Sequence, residues 1–187
     1  QGLRIFCEYR DQRSFPLLLP LLDQPCPVER MSAVYALGRN PCPSAVQKLV
    51  SLLKTDDNAY VRRATAWSLA NYDNQIVLEP LINALKNDVA AVRLWSSSSL
   101  AEIGNVSFEN AQLAAEQLLI SLKIDNESGV RSNCIWSLCR LYEKLNNTFQ
   151  ESFVDECTKI ALFDKEPSVM EEAKTALDSM GMQGFYN

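Results

Sequence analysis

Histidine does not occur in this sequence of 187 residues, and no two cysteines stand at the Cys-x-x-Cys spacing of metal and redox sites. Histidine is the commonest general base near neutral pH, so a serine or cysteine here has no imidazole to activate it. The four consecutive serines at 96–99 are therefore interpreted as small spacers in a helix. The sequence predicts no catalytic residue, no metal site and no resident cofactor.

Paired cysteines are also missing, although six cysteines are present. Cys134 and Cys139 fall on one predicted helix at a spacing of five, which points them about 140° apart and prevents a mutual disulfide. Cys26 and Cys42 are each followed by proline and are separated by a predicted helix. We expect free thiols, which indicate a reducing compartment such as the cytoplasm.

The sequence has no excess of positive charge, and its net charge is −5. Residues 1–150 carry 15 acidic and 15 basic side chains, whereas residues 151–187 carry 8 acidic and 3 basic ones. Without a basic stripe to bind a phosphate backbone, we expect no nucleic-acid partner. No apolar run approaches the ~20 residues that span a bilayer, so we expect a soluble protein without a membrane span.

The sequence does contain a repeat centred on arginine. A leucine follows each of four arginines after seven residues, and the intervals between the arginines are 32, 31 and 38 residues. Segments Tyr60–Leu69 and Ala91–Leu100 align without a gap. A period above thirty residues is typical of proteins that stack one supersecondary unit on the next. The four arginines, here called the arginine ladder, are Arg30, Arg62, Arg93 and Arg131.

Each ladder arginine lies in a predicted helix. Small or apolar residues stand three and six places after it and the leucine at seven, and these spacings mark one helix face. A turn rich in glycine or asparagine ends that helix, and an amphipathic second helix follows. The longer third interval predicts about seven extra residues near Asn105–Ala114, in a longer first helix or in a loop before it. The second helices are predicted at Ala45–Leu53, Val77–Leu85, Ala111–Leu122 and Phe149–Leu162.

The predicted fold is all-α, a right-handed α-solenoid of about five helix pairs in one domain over residues 1–187. Before the first ladder arginine we expect a helix ending at Tyr9, whose first half is missing, and another near Phe15–Leu22. A last helix at Val169–Met180 belongs to a C-terminal cap over residues 168–187.

Aspartates accompany the arginine ladder in the loops between helices. Such an aspartate can pair with an arginine within one repeat or between neighbouring repeats. Because the charge pair recurs in every unit, we interpret it as a structural element that keeps the repeats in register, not as a catalytic one. The last unit has Met170 in the arginine position, as expected of a terminal cap. The aspartates assigned to the ladder are Asp57, Asp88 and Asp125.

A position five residues after each ladder arginine lies outside the predicted core face. It holds tyrosine, tryptophan, serine and tryptophan in turn, and arginines stand one helical turn from the aromatic residues. Exposed aromatic side chains beside arginine are typical of binding hot spots, so we predict a partner-binding stripe on the inner surface. An alternative stays open, in which the rings fill gaps that alanine and serine leave between repeats. The predicted stripe consists of Tyr35, Arg39, Arg63, Trp67, Trp136 and Arg140.

The order of Val-Arg, small residues, leucine, turn and leucine-rich second helix resembles HEAT-like repeats over most of residues 3–181. Three segments are similar to the phycobilisome-lyase branch of these repeats, within a subgroup of HEAT-repeat proteins of photosynthetic organisms. They are Cys26–Pro41, Tyr60–Asn71 and Ala91–Trp95. The resemblance implies HEAT-like helix pairs, and no residue of this chain matches a catalytic motif.

The resemblance implies a non-catalytic scaffold or assembly adaptor that binds another protein on its concave surface. The resemblance also implies a role in the assembly of pigment proteins or of iron-sulfur proteins, the latter because one member type is an adaptor for an iron-sulfur scaffold protein. The implied location is a cyanobacterial cytosol or a plastid stroma. The alternative it implies is an E/F-type bilin lyase subunit that forms a heterodimer with a related HEAT-repeat subunit. Such a subunit holds a transient linear tetrapyrrole, whose propionates would meet arginines such as Arg63 or Arg140.

Overall fold

The computed structural model describes residues 11–73, 75–182 and 184. Within these ranges every regular element is helical and no strand occurs, which confirms the all-α class. The α-helices there are α1 Phe15–Leu18, α2 Pro27–Arg39, α3 Val46–Thr55, α4 Ala59–Leu69, α5 Leu78–Asn87, α6 Ala90–Gly104, α7 Phe108–Ile124, α8 Ser128–Leu141, α9 Asn147–Phe163 and α10 Pro167–Ser179. Short 3-10 helices lie at Gln12–Ser14, Leu19–Asp23, Pro43–Ala45, Gln75–Val77 and Tyr142–Lys144.

The predicted alternation of first and second helices is confirmed. In chain order the first helices α2, α4, α6 and α8 are each followed by a second helix, namely α3, α5, α7 and α9, and α10 is the predicted last helix. The segment predicted as a helix at Phe15–Leu22 is split between α1 and a 3-10 helix. The predicted helix ending at Tyr9 lies outside the described residues.

Two compact units divide the chain, one up to Ser99 and one from Leu100 onward. Helices α1 to α5 and most of α6 belong to the N-terminal unit, and α7 to α10 belong to the C-terminal unit. The single domain over residues 1–187 stays a prediction.

In the N-terminal unit, α2 packs along α4, and α3 packs against both α4 and α5. The small residues that the repeat places on the contact face, such as Ala33, Ala36 and Ser68, have no exposed surface. Small side chains let neighbouring helices approach closely. The serine run contributes as well, because the Ser99 hydroxyl donates to the Ala66 carbonyl oxygen at 2.8 Å and so joins α6 to α4.

In the C-terminal unit, α7 packs against α8 and α9, and α10 covers both α8 and α9. Its second helices are long: α7 and α9 have 17 residues each, whereas α3 and α5 have 10. The longer third interval was predicted to extend a first helix or its loop, and α6 is indeed the longest first helix described, with 15 residues against 11 in α4. The lengthening of the second helix was not predicted, and the start of α7 is fixed by the Ser107 hydroxyl, which accepts from the backbone N–H of Asn110.

Arginines of the ladder connect the loop before their own helix to the loop that follows the same helix pair. Arg30 donates through Nε and Nη2 to the two carboxylate oxygens of Asp56, at 2.7 and 2.9 Å. Its Nη1 donates to the backbone carbonyls of Gln24 and Pro25 in the loop before its own helix. One guanidinium therefore satisfies acceptors in two successive loops.

The same geometry recurs along the chain. Arg62 binds Asp88 and Arg131 binds Asp164 with two hydrogen bonds each, between 2.7 and 3.0 Å. The pairing is thus between repeats, and the assignment of Asp57 to the ladder carboxylates was wrong, because its neighbour Asp56 carries that pair. Asp57 contributes its backbone carbonyl to Arg62 at 3.3 Å.

The remaining predicted members of the ladder take their places in the loops. Arg93 donates to the backbone carbonyl of Asp88 at 2.9 Å, as its counterparts do to their own loops. Asp125 accepts the backbone N–H of Glu127 with its carboxylate, and its own carbonyl accepts from Arg131 at 2.9 Å.

Burial and ion pairing act in opposite directions on the ladder aspartates. Burial alone would raise the pKa of Asp56 and of Asp164, but hydrogen bonds from Arg30 and Arg131, respectively, and from a backbone N–H outweigh it. Both carboxyl groups therefore have a pKa below the ordinary value. They are ionised in the folded protein throughout the neutral range.

No helix in the described part of the chain is both long enough and apolar enough to cross a membrane. The five cysteines within that part are free thiols, as predicted, and Cys7 lies outside it. Burial raises the pKa of Cys139 to about 11 and raises that of Cys157 still further, so both thiols are protonated near neutral pH.

We expect Asp164→Asn to lower the free energy of unfolding by ~3 kcal/mol at pH 7, because it leaves a buried guanidinium without its charge partner. The side chains of Arg131 and Asp164 are only 6% and 9% exposed, so water cannot replace the lost carboxylate. Chemical denaturation of both proteins measures the difference.

The pH dependence of that difference is a second readout. A carboxyl group whose folded pKa is lowered stabilises the fold above its unfolded pKa of ~4 and stops doing so as the pH falls through the folded value. The two proteins should therefore approach each other in stability below about pH 4. Arg13→Gln, which removes a pair whose arginine is 91% exposed, is the control and should change little. A constant difference down to pH 2 would contradict this account.

Candidate functional site

An aromatic pair and two arginines come together on the first helices of the N-terminal unit. Tyr35 and Arg39 lie on α2, and Arg63 and Trp67 lie on α4. Arg39 follows Tyr35 by four residues and Arg63 precedes Trp67 by four, so each arginine shares a helix face with its aromatic neighbour. We call these four residues the aromatic–arginine cluster.

The contacts within this cluster cross from α2 to α4. The ring centroids of Tyr35 and Trp67 are 5.4 Å apart with their planes tilted by 52°. The Arg39 guanidinium carbon lies 5.5 Å from the centre of the Trp67 ring, a distance typical of a cation–π contact. Arg63 donates through Nη2 to the Tyr35 hydroxyl at 3.4 Å. The repeat thus brings four predicted residues of two helices into one site.

Gly38 provides the space for the Trp67 ring. A Cβ atom at Gly38 would lie 2.5 Å from Cζ3 of Trp67 and 3.2 Å from the Ser68 Cα. The sequence predicted Gly38 as part of a turn, but it belongs to the last turn of α2, which ends at Arg39. Trp67 is half-buried, so the ring packs between repeats and also reaches the surface. Trp67 thus fills space between repeats, as the alternative holds, and its role in partner binding stays a prediction.

Tyr60 was not predicted as a site residue. It lies in the first turn of α4, is 65% exposed, and has the Arg63 guanidinium carbon 5.5 Å from its ring centre. Its spacing of three residues from Arg63 on one helix was the available signal. Tyr60 extends the aromatic surface of the cluster along α4.

A second, smaller cluster lies in the C-terminal unit. The Arg140 guanidinium carbon is 5.0 Å from the ring centre of Trp136, which is 40% exposed. Arg140 also forms an ion pair with Glu102 at 2.8 Å. This tryptophan has the exposure expected of a contact residue, and its arginine is already neutralised.

Two clefts beside the arginine ladder offer a different kind of site. One of about 580 Å³ adjoins the Arg62–Asp88 pair, and one of about 440 Å³ adjoins the Arg131–Asp164 pair. Both lie at the same place relative to their helix pairs, at the C-terminal ends of second helices. Their repetition indicates that they result from stacking, and the ladder arginine at each cleft already pairs with the aspartate beside it.

The described residues contain no group of three or more acidic, cysteine or histidine side chains placed to hold a metal ion.

The Tyr72 side chain is buried, and burial raises the pKa of its hydroxyl group to about 12. It donates to the Leu37 carbonyl oxygen at 3.0 Å and therefore serves to join the ends of α2 and α4.

Stacked helix pairs with aromatic and arginine side chains on their first helices define an all-α repeat protein that presents a surface rather than a pocket. A family model for HEAT repeats matches residues 2–70 and 46–139, and the chain belongs to the HEAT-repeat family. A search among curated proteins gives no match.

Solved structures share the fold at low sequence identity. The complex of CpcE and CpcF of phycocyanin lyase from Nostoc matches with a TM-score of 0.68 and 23% identity, over 89% of this chain and 99% of that chain. A designed armadillo repeat protein in complex with the peptide (KR)4 matches with a TM-score of 0.67 and 20% identity, over 100% of this chain and 90% of that chain. An engineered protein matches with a TM-score of 0.66 and 21% identity, over 96% and 89% of the two chains. These likenesses support the α-solenoid fold.

We expect Gly38→Ala to displace the Trp67 ring, because the new methyl group meets it at 2.5 Å. Overpacking of this kind costs ~1–3 kcal/mol of stability. The measurement is the fluorescence emission of Trp67 in a Trp95→Phe, Trp136→Phe background, together with the melting temperature. Gly184→Ala is the control, since a Cβ there meets nothing within 4 Å. Unchanged emission in Gly38→Ala would refute the packing described.

Proposed function

We propose that this protein is a non-catalytic interaction scaffold or assembly adaptor that holds another protein against the first helices of its repeats. The single observation that supports this proposal most is the aromatic–arginine cluster, where rings and guanidinium groups from two helices form one partly exposed surface. Aromatic and arginine side chains dominate the energy of protein interfaces.

The proposed contacts to the partner are made by the residues that the repeat pattern selected, with one contact region in each unit. Trp136 and Arg140 form the contact region of the C-terminal unit. The chains of similar fold include a complex of two proteins and a complex with a peptide, which supports a binding role without identifying the partner. The proposed residues are Tyr35, Arg39, Arg63, Trp67, Trp136 and Arg140.

The biological setting that we propose is a photosynthetic organism, in the cyanobacterial cytosol or the plastid stroma. The process is the assembly of pigment proteins or of iron-sulfur proteins, and the HEAT-repeat subgroup is that of the phycobilisome-lyase branch. The similarity of fold to a phycocyanin lyase complex supports this setting.

We expect Trp67→Ala and Trp136→Ala each to weaken partner capture about tenfold, the effect of removing a tryptophan hot spot. The measurement is an affinity pull-down from extract of the source organism with quantitative mass spectrometry. Trp95→Ala is the matched control, because Trp95 is 37% exposed and lies outside both clusters. Circular dichroism and thermal melting show whether the variants keep their fold. Undiminished capture, or a loss of fold that accounts for the weaker capture, would count against the proposal.

The second candidate is an E/F-type bilin lyase subunit, working as a heterodimer with a related HEAT-repeat subunit. It is favoured by the similarity to the CpcE and CpcF complex over 99% of that chain. In this role the aromatic–arginine cluster would hold a linear tetrapyrrole, with propionate groups at Arg63 or at Arg140 of the second cluster.

A mixing experiment distinguishes the two candidates. As a scaffold, the protein should leave the visible absorbance of a free linear tetrapyrrole such as biliverdin unchanged, and no pigment should remain on the protein after gel filtration. A shifted spectrum with retained pigment, lost in Trp67→Ala, would favour the lyase subunit instead.

A further inference from the structure

The two arginines of the aromatic–arginine cluster differ from the other arginines in their charge environment. Arg39 and Arg63 contact no carboxylate among the residues that the structure describes. Five other arginines each contact one within 2.8 Å; they are Arg13, Arg30, Arg62, Arg131 and Arg140. Within the described part of the chain, two guanidinium groups without a carboxylate partner therefore lie beside the Tyr35 and Trp67 rings.

Arg63 is held in place although its charge is not neutralised. It donates to the Tyr35 hydroxyl, its guanidinium lies over Tyr60, and its Nε atom is buried without a hydrogen-bond acceptor. An unmatched charged donor is unfavourable in a half-buried position, and a nearby negative charge offsets that cost. The site is thus ordered in advance for an anion that approaches the outer guanidinium nitrogens.

The C-terminal unit shows which anion completes this arrangement. There Arg140 lies over Trp136 and binds Glu102, so an arginine on a tryptophan face is matched by a carboxylate. Glu102 stands nine residues after its ladder arginine, and Arg140 stands nine after the next one. In the N-terminal unit Arg39 takes the place of Glu102 and Asn71 takes the place of Arg140, so neither of these two positions supplies a carboxylate.

We propose that Arg39 and Arg63 bind acidic side chains of the partner protein. Each guanidinium group donates paired hydrogen bonds to a carboxylate, and the partly exposed rings of Tyr35 and Trp67 receive an apolar side chain beside it. A polyanion such as nucleic acid does not fit, because the chain has a net charge of −5 and lacks a basic stripe. The inference rests on the proposed function and specifies the chemistry of the partner segment.

The buried Arg63 Nε–H group is the reporter for the test, since a proton shielded from water gives an observable NMR signal. The full chain labelled with nitrogen-15 is titrated with an eight-residue, end-blocked peptide that alternates glutamate and phenylalanine. We expect a saturable shift of the Arg63 Nε–H signal, weaker at high salt, and no shift with the matching glutamine–phenylalanine peptide. In isothermal titration calorimetry, which does not depend on the Arg63 signal, Arg39→Gln and Arg63→Gln should each weaken binding about tenfold.

Two controls and three comparison ligands complete the test. Arg13→Gln removes an arginine on a different surface and should leave the affinity unchanged, and melting temperatures show that the arginine variants keep their fold. Equal binding of the glutamine peptide, or tighter binding of inorganic phosphate, would overturn the carboxylate assignment. A response to biliverdin but not to the glutamate peptide would show that the carboxylate comes from a pigment and would overturn the proposed occupant.

The outcome is separable from that of the pull-down. If the glutamate peptide binds while Trp67→Ala and Trp136→Ala leave partner capture intact, the carboxylate site stands and the scaffold proposal fails. If capture depends on the tryptophans while the peptide does not bind, the scaffold proposal stands and the carboxylate site fails.

Discussion

The ion pair between a ladder arginine and the aspartate of the next repeat is the interaction on which the rest of the structure depends. Arg30, Arg62 and Arg131 each bind a carboxylate with two hydrogen bonds and also bind the carbonyls of the loop before their own helix. Hydrophobic packing alone tolerates some sliding of one helix along another, because it is non-directional. The paired hydrogen bonds are directional and do not tolerate sliding, so they fix the axial position of each first helix relative to the neighbouring one. Residues at equal distances from their arginines consequently lie side by side.

That alignment creates the candidate site. Tyr35 and Trp67 stand five residues after Arg30 and Arg62, and their rings meet because the two helices are in register. The surface chemistry is then decided by positions that play no part in packing. Across the repeats the ninth position changes from arginine to asparagine, glutamate and arginine. The last two form an ion pair in the C-terminal unit, whereas the first two include no carboxylate.

The parts of this structure that recur could be predicted from the sequence, since recurrence at spacings of three, four and seven identifies a helix face directly. The face that holds Ala33, Ser68 and Leu138 is buried as predicted. Features that depend on contacts between distant residues were not predictable in the same way. Whether Asp56 or Asp57 pairs with Arg30 is decided by how the loop turns. In the sequence alone, two adjacent aspartates are equally suitable partners. That no carboxylate of the described residues contacts Arg39 or Arg63 becomes visible only when both helices are placed together.

Because each ladder pair joins residues 26 or 33 positions apart, no single repeat contains both members of its own pair. If one repeat of a unit unfolds locally, a buried charge in the neighbouring repeat loses its partner. Opening of one helix pair therefore destabilises the next helix pair. Unfolding within a unit is therefore cooperative for an electrostatic reason in addition to the usual loss of packed surface. The same feature makes the repeats interchangeable. A repeat that keeps the arginine in its first helix and the aspartate in its last loop can replace another repeat, whatever side chains it presents to a partner.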